Sequence, residues 1–183
     1  MNNGQDIEDA ARVLKDGGVV AYPTDTVYGL GADMSSSEAI RRVLEIKGRA
    51  ASVGLPLLLA DATDLDQVAL ALQSRGGGGL IKKLASVFWP GALTLVVSRT
   101  ALVPDLVTGG RDTVAVRVPD HFVPRRLIST LGRPITGTSA NLSGMIDTTD
   151  ADSVYRQLGG QVDYIIDGGP TLSLIHISEP TRR

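Results

Sequence analysis

Short buried-strand runs that alternate with helical-period stretches constrain this chain more than any other feature. Val19 to Tyr22, Leu55 to Leu59, Leu93 to Val97, Val114 to Val118, Ile135 to Thr138 and Val162 to Ile166 are apolar runs of strand length. Between most of them, apolar residues recur every three or four positions. Ile7, Ala10, Ala11 and Leu14 form the first such face, with Asp6 placed to cap it and Gly17-Gly18 placed to stop it. Ser35 and Glu38 have capping-box spacing ahead of Ala39, Ile40, Val43, Leu44 and Ile46, and Gly48 is a natural C-terminal stop. Further helices are expected from Asp64 to Leu72, Leu80 to Phe88, Arg125 to Leu131 and Asp150 to Leu158, with Pro90 and Pro124 as punctuation. A strand face and a helix stripe must cover one another, so the alternation favours an α/β sandwich on a central sheet. The runs at 93–97 and 114–118 have no helix between them, which predicts antiparallel pairing within a mixed sheet.

Composition narrows the chemistry. The 183 residues fit one domain, with neither an internal repeat nor an interdomain linker. Cysteine is absent, which removes disulfides, thiolate nucleophiles and cysteine-held metals together. The two histidines, His121 and His176, are too few for a multi-histidine zinc site, and no metal-ligand set is expected. A net charge of −2 provides no global field for nucleic acid or anionic membrane. No apolar run approaches the roughly 18 residues of a spanning helix, and Met1 to Asp6 lacks the pattern of a signal peptide. The expectation is a soluble, cytoplasmic protein without a membrane partner. The 21 glycines point to tight turns and close backbone approaches. Gly76 to Gly79 lacks the lysine of a P-loop and reads as a flexible turn.

Four polar segments sit where expected strands or helices end, the usual place for ligands in α/β sheets. In Lys47-Gly48-Arg49, glycine lets both cations face one point, a good arrangement for a polyphosphate; two solvated cations at a helix end is the plainer reading. Ser139-Ala140-Asn141-Leu142-Ser143-Gly144 offers hydroxyls, an amide and backbone N–H groups to an anion, or forms an ordinary Asx or Ser turn. In Thr24-Asp25-Thr26, ahead of Tyr28-Gly29-Leu30-Gly31, the hydroxyls could orient a small polar substrate, and Asp25 could help hold Mg²⁺. Arg117 lies inside a Val-Ala-Val-Arg-Val run, where an unpaired charge is costly, so it calls for either a protein or a ligand carboxylate. Thr113 belongs to the same run. His121 and Trp89 read as structural, and Arg41, Arg42, Arg125 and Arg126 as exposed helix charges that could form an RNA-facing patch. These residues suit phosphoryl or nucleotidyl transfer, which needs positioning and charge stabilisation rather than a protein nucleophile.

With Phe88-Trp89-Pro90-Gly91 and Val114-Ala115-Val116-Arg117-Val118-Pro119, these segments resemble the YrdC/Sua5 family in order and spacing, from about residue 7 to Thr171. The resemblance implies a YrdC-like twisted mixed α/β sheet with flanking helices and a large cavity on one face. It implies L-threonylcarbamoyladenylate synthase activity, a nucleotidyl transfer that joins L-threonine, bicarbonate and ATP into threonylcarbamoyl-AMP and pyrophosphate. The product would serve N6-threonylcarbamoyladenosine (t6A) modification of tRNA, with the t6A transferase machinery as partner and Mg²⁺ accompanying ATP. By motif, Lys47 and Arg49 would hold the phosphates, Ser139, Asn141 and Thr113 would complete the ATP site, and Thr26, Tyr28 and Arg117 would hold threonine.

Departures from the family pattern include Ala50, Val53, Gly54, Ala92 and Asp147. The largest is the end of the chain, where residues 172–183 replace a glycine turn and a Ser-Thr-Val-Val strand that would help bind threonine. This segment reads either as translated adapter read-through behind a YrdC-like domain over 1–171, which is the expectation, or as a variant strand with Leu172, Leu174 and His176 alternating. Read-through would impair the enzyme. One rival function is a non-catalytic module binding double-stranded RNA or tRNA. Another is the carbamoyl-adenylate domain of hydrogenase maturation, which belongs with zinc-binding cysteines that this chain lacks.

Overall fold

The computed structural model describes residues 3–70 and 78–171. In chain order the elements are α1 (Asn3–Lys15), β1 (Val20–Pro23), β2 (Tyr28–Gly31), α2 (Ser37–Ile46), β3 (Leu57–Leu58), a 3-10 turn (Ala62–Asp64), α3 (Leu65–Val68), α4 (Gly78–Phe88) and β4 (Leu95–Ser98). There follow α5 (Asp105–Thr108), β5 (Thr113–Arg117), α6 (Phe122–Leu131), β6 (Ile135–Thr136), β7 (Thr138–Ser139), α7 (Ala151–Leu158) and β8 (Tyr164–Ile165). The strands form two four-stranded mixed sheets, ordered β7-β2-β1-β8 and β4-β5-β3-β6. As expected, β4 runs antiparallel to β5, with Leu95 opposite Val116. The mixed α/β class with flanking helices is the one read from the sequence, but the strands divide between two sheets rather than forming the single central sheet expected.

The periodic faces bury as their spacing requires. Ile7, Ala10, Ala11 and Leu14 of α1 pack with Val123, Leu127 and Ile128 of α6 over Val20 and Tyr22. Ala39, Ile40, Val43 and Leu44 of α2 join the larger core with Leu30, Leu57 and Val116. Each fully buried aliphatic side chain contributes about 1.5–3 kcal/mol relative to exposure.

Several local expectations differ from the structure. Asp6 lies inside the first turn of α1 rather than capping it. Ser36, not Ser35, caps α2 by accepting from the Ala39 N–H, because Ser35 is drawn to the Asp33 carboxylate through both its N–H and its hydroxyl. The helix expected from Asp64 is only the single turn of α3, since Ala69 is extended and bridges to Arg99. Residues 28–31, expected as part of a polar loop, form β2 despite two glycines. Those glycines are imposed by crowding, since a Cβ on Gly29 would lie 2.7 Å from the Tyr22 ring and one on Gly31 would collide with the Thr136 carbonyl oxygen. Gly78 and Gly79 open α4, whereas Gly76, Gly77 and the tail 172–183 with His176 lie outside the described residues.

The two sheets meet along residues 135–139. There β6 pairs with β3 and β7 pairs with β2. Gly137 lies at the crossing, its N–H donating to the Pro56 carbonyl. A Cβ there would sit 2.7 Å from Leu58 Cγ, so only glycine lets the chain pass.

Candidate functional site

A cleft opens where the sheets meet. Thr26, Tyr28, Arg117 and Ser139, all expected from the sequence, line it together with Thr94 and Thr138. Its cavity measures about 150 Å³, smaller than the roughly 300–1,000 Å³ of typical small-molecule sites, and is open at its mouth. The single large cavity that the resemblance implies is not displayed by the described residues, which form several clefts of similar size.

The β1–β2 turn builds one wall. Thr24 Oγ1 donates to the Val27 carbonyl at 2.7 Å and accepts from the Thr26 N–H at 3.2 Å, with the two threonine hydroxyl oxygens 3.1 Å apart. This ties the Thr26 hydroxyl in place at the cleft. Tyr28 is fully buried at the edge of the cleft, and its hydroxyl donates to the Gly169 carbonyl at 2.9 Å and accepts from the Gly168 N–H at 3.2 Å. Burial pushes the phenol up to about 12, so it stays protonated.

Arg117 forms the second wall, at the end of β5. Its Nε donates to the Gly91 carbonyl at 2.8 Å, and its Nη2 contacts both carboxylate oxygens of Asp25 at 2.6 Å. The two side chains are only 16% and 17% exposed. Arg117 thus has a protein carboxylate as partner on Nη2, and among the described residues its Nη1 has no hydrogen-bond partner. Both oxygens of Asp25 are engaged in this ion pair. Among the described residues, no group of three or more His, Cys, Asp or Glu could hold a metal ion.

The third wall, Thr138 and Ser139, is backed by Lys47, which like Arg49 and Asn141 does not itself line the cleft. At the end of α2 the Gly48 N–H donates to the Glu45 carbonyl and the Arg49 N–H to the Leu44 carbonyl, with Gly48 at φ 58°. This Schellman turn aims the two flanking side chains at the same strand, β7. Lys47 is 1% exposed, so it is no solvated surface cation. Its Nζ donates to the carbonyls of Ser139 and Asn141 at 2.8 and 2.5 Å and to Asn141 Oδ1 at 2.7 Å. Asn141 Oδ1 also accepts from the Ser139 hydroxyl at 2.7 Å, its Nδ2 donates to the Met145 carbonyl, and the Ser143 hydroxyl donates back to the Lys47 carbonyl. The loop 139–145 is thus wound around one buried ammonium, which burial and then the neighbouring Arg49 pull down to about 8. Arg49 is half-buried and donates to the Thr138 hydroxyl at 3.3 Å.

Thr113 is not brought into this cleft. It lies opposite Ser98 at the far end of β5, roughly 13 Å of extended chain from Arg117, and lines a separate groove with Gly54, Thr108 and Arg111. Pro56 borders both spaces. His121 is structural, as expected: its Nδ1 accepts from the Val123 N–H and caps α6. Trp89 packs and donates to the Leu93 carbonyl. Of the arginines weighed as a patch, Arg42 pairs with Asp163, and Arg125 binds the Ala60 carbonyl beside Asp61. Sequence reasoning missed Thr94 and the Gly91 carbonyl. Only the presence of Gly91 in a quoted motif hinted at the latter.

A strand-end cleft with a held guanidinium on one wall and a lysine-pinned hydroxyl loop on another defines an α/β protein suited to small anionic ligands. This chain belongs to the Sua5/YciO/YrdC family, whose model, described as "Telomere recombination", matches residues 12–176. It is 44% identical over 162 residues to a protein of Vibrio vulnificus named threonylcarbamoyl-AMP synthase, covering 88% of this chain and 86% of that one. It is 42% identical over 165 residues to the protein of that name from Pyrococcus abyssi, covering 90% of this chain but 47% of the relative. The chain thus spans about half the length of the Pyrococcus relative and of a Bacillus subtilis one. Among solved structures, P. abyssi Sua5 complexed with L-threonine superposes with a TM-score of 0.83 at 42% identity, over 90% of this chain and 47% of that one. E. coli YciO superposes at 0.77 and 29% identity, over 90% and 78%. Among the described residues no helix is long and apolar enough to cross a membrane.

Proposed function

We propose that this chain, with residues 1–171 as the working domain, is a threonylcarbamoyl-AMP synthase acting in the cytoplasm. Its substrates would be L-threonine, bicarbonate and ATP, with magnesium entering as the counter-ion of the ATP phosphates. The threonine amine adds to bicarbonate with loss of water, giving a carbamate. A carbamate oxygen then attacks the α-phosphorus, and the bond to the β-phosphate breaks to release pyrophosphate. Arg117 Nη1 and the Thr26 hydroxyl receive the threonine carboxylate and hydroxyl, with Tyr28 as the wall between them. Arg49 meets the phosphates, Ser139 and Asn141 contact the nucleotide, and Lys47 holds that loop in place while adding its charge beneath it. Such preformed cationic and dipolar groups stabilise charge as it shifts toward the leaving group without reorganising. Thr113 would touch ATP only if the nucleotide extends past Pro56 into the neighbouring groove. The product would pass to the t6A transferase machinery and tRNA.

One observation carries this reading: the guanidinium of Arg117 and the Lys47-pinned loop share a cleft, in a chain 42–44% identical to proteins named threonylcarbamoyl-AMP synthase. The test is pyrophosphate release from ATP, Mg²⁺ and bicarbonate, with and without L-threonine, beside a chain whose residues 172–183 are replaced by a family-like ending. Threonine-dependent release from either chain is the expected result. Silence from both, with salt-dependent binding of double-stranded RNA, would overturn it in favour of a non-catalytic RNA-binding module.

A further inference from the structure

We infer that Asp25 is a positioning residue that presents one edge of the Arg117 guanidinium to the carboxylate of an amino-acid ligand, an inference that rests on the threonine site just proposed. A guanidinium has five N–H donors in a rigid fork, so its orientation is set once two of its nitrogens are held. Here Nε is held by the Gly91 carbonyl and Nη2 by both oxygens of Asp25. The Nη1 edge remains. Arg117 lines the cleft and Asp25 does not, so the carboxylate anchors the guanidinium from outside the space a ligand would fill. Asp25 therefore need not be displaced when a ligand carboxylate binds. It also makes the arginine subsite neutral overall, which suits a zwitterion such as a free amino acid better than a ligand with excess negative charge.

Two effects oppose one another when the Asp25 charge is removed. The subsite becomes more positive, which favours an anion, and the guanidinium loses an anchor, which lets it swing. Orientation is expected to dominate, because an oriented charge-assisted hydrogen bond contributes more than an added charge at a solvent-open mouth. The full chain and its Asp25→Ala and Asp25→Asn variants are titrated calorimetrically with L-threonine and, separately, with ATP. Asp25→Ala should weaken L-threonine about tenfold while leaving ATP within about twofold, with Asp25→Asn in between. The Arg117 Nε–H resonance should be sharp and slow to exchange in the parent and should broaden in Asp25→Ala. Unchanged or tighter threonine binding would overturn the inference, as would equal weakening of both ligands, which marks a merely structural defect. If the parent itself fails to bind L-threonine, the functional reading falls. In that case an Arg117 resonance unmoved by Asp25→Ala still overturns the positioning role, and a broadened one upholds it.

Discussion

Lys47→Met removes an ammonium while keeping an unbranched stem of similar length. The buried Nζ serves the Ser139 carbonyl at 2.8 Å, the Asn141 carbonyl at 2.5 Å and Asn141 Oδ1 at 2.7 Å. After the substitution Asn141 Oδ1 still has the Ser139 hydroxyl, but the two carbonyls lose this donor. Each buried acceptor left unpaired costs about 1–3 kcal/mol, a sum partly offset because a charge no longer has to be buried. The net expectation is about 3 kcal/mol, or about 6–12 °C in Tm for a domain of this size. Thermal melts followed by circular dichroism at pH 7 read this directly. The linkage has a definite sign. The folded value of about 8 lies below the ordinary 10.5, so between them the unfolded chain binds the extra proton and this group's stability contribution rises with pH. The parent should therefore gain on Lys47→Met as pH rises through that window. A Tm within about 2 °C of the parent at pH 7, or a gap that narrows as pH rises, would refute the picture of a loop wound around a buried lysine.

The other predictions separate the roles of neighbouring residues. Arg49→Ala should lower threonine-dependent pyrophosphate release by about 10²–10³-fold with Tm nearly unchanged, since Arg49 is half-buried and makes one long side-chain contact; activity within about twofold of the parent would remove it from the phosphate site. Gly137→Ala should cost about 1–3 kcal/mol in a urea titration, because its Cβ would meet Leu58 at 2.7 Å where the two sheets join; an unchanged midpoint would show that Leu58 can move aside. Burial holds His121 below its ordinary 6.5, and its capping Nδ1 must be unprotonated. The unfolded chain therefore takes up this proton first, so stability falls as pH drops through about 6.5 and below. Relative to His121→Asn, which caps without titrating, the parent should lose Tm between pH 7 and 5; a constant gap would contradict the assignment.

What could be read from the sequence follows the range of the interaction. The α1 face of Ile7, Ala10, Ala11 and Leu14, the α2 face, and Gly48 as a stop are all local patterns, and each is found in the fold. Strand β2 was hidden because Gly29 and Gly31 have poor strand propensity and are selected by the Tyr22 ring and the Thr136 carbonyl, neighbours brought close only by folding. The candidate site shows the same division. The residue types at Thr26, Arg49, Arg117 and Ser139 were visible from their positions at element ends, and the structure places them around one cleft or on its rim. Their partners were not visible. Arg117 finds Asp25 across 92 residues, and Lys47 finds Asn141 across 94. No local pattern distinguishes a lysine bound for solvent from one bound for burial, or assigns a strand arginine to a protein carboxylate rather than to a ligand.

The most direct test of the central claim is the product itself. The chain is incubated with ATP, Mg²⁺, L-threonine and ¹³C-labelled bicarbonate, quenched rapidly and analysed by mass spectrometry. The account predicts an adduct of AMP and threonine carrying the label in its carbamoyl carbon, formed in step with pyrophosphate and absent when threonine is omitted. Pyrophosphate release that continues without threonine, or AMP that carries no labelled carbamoyl group, would contradict it.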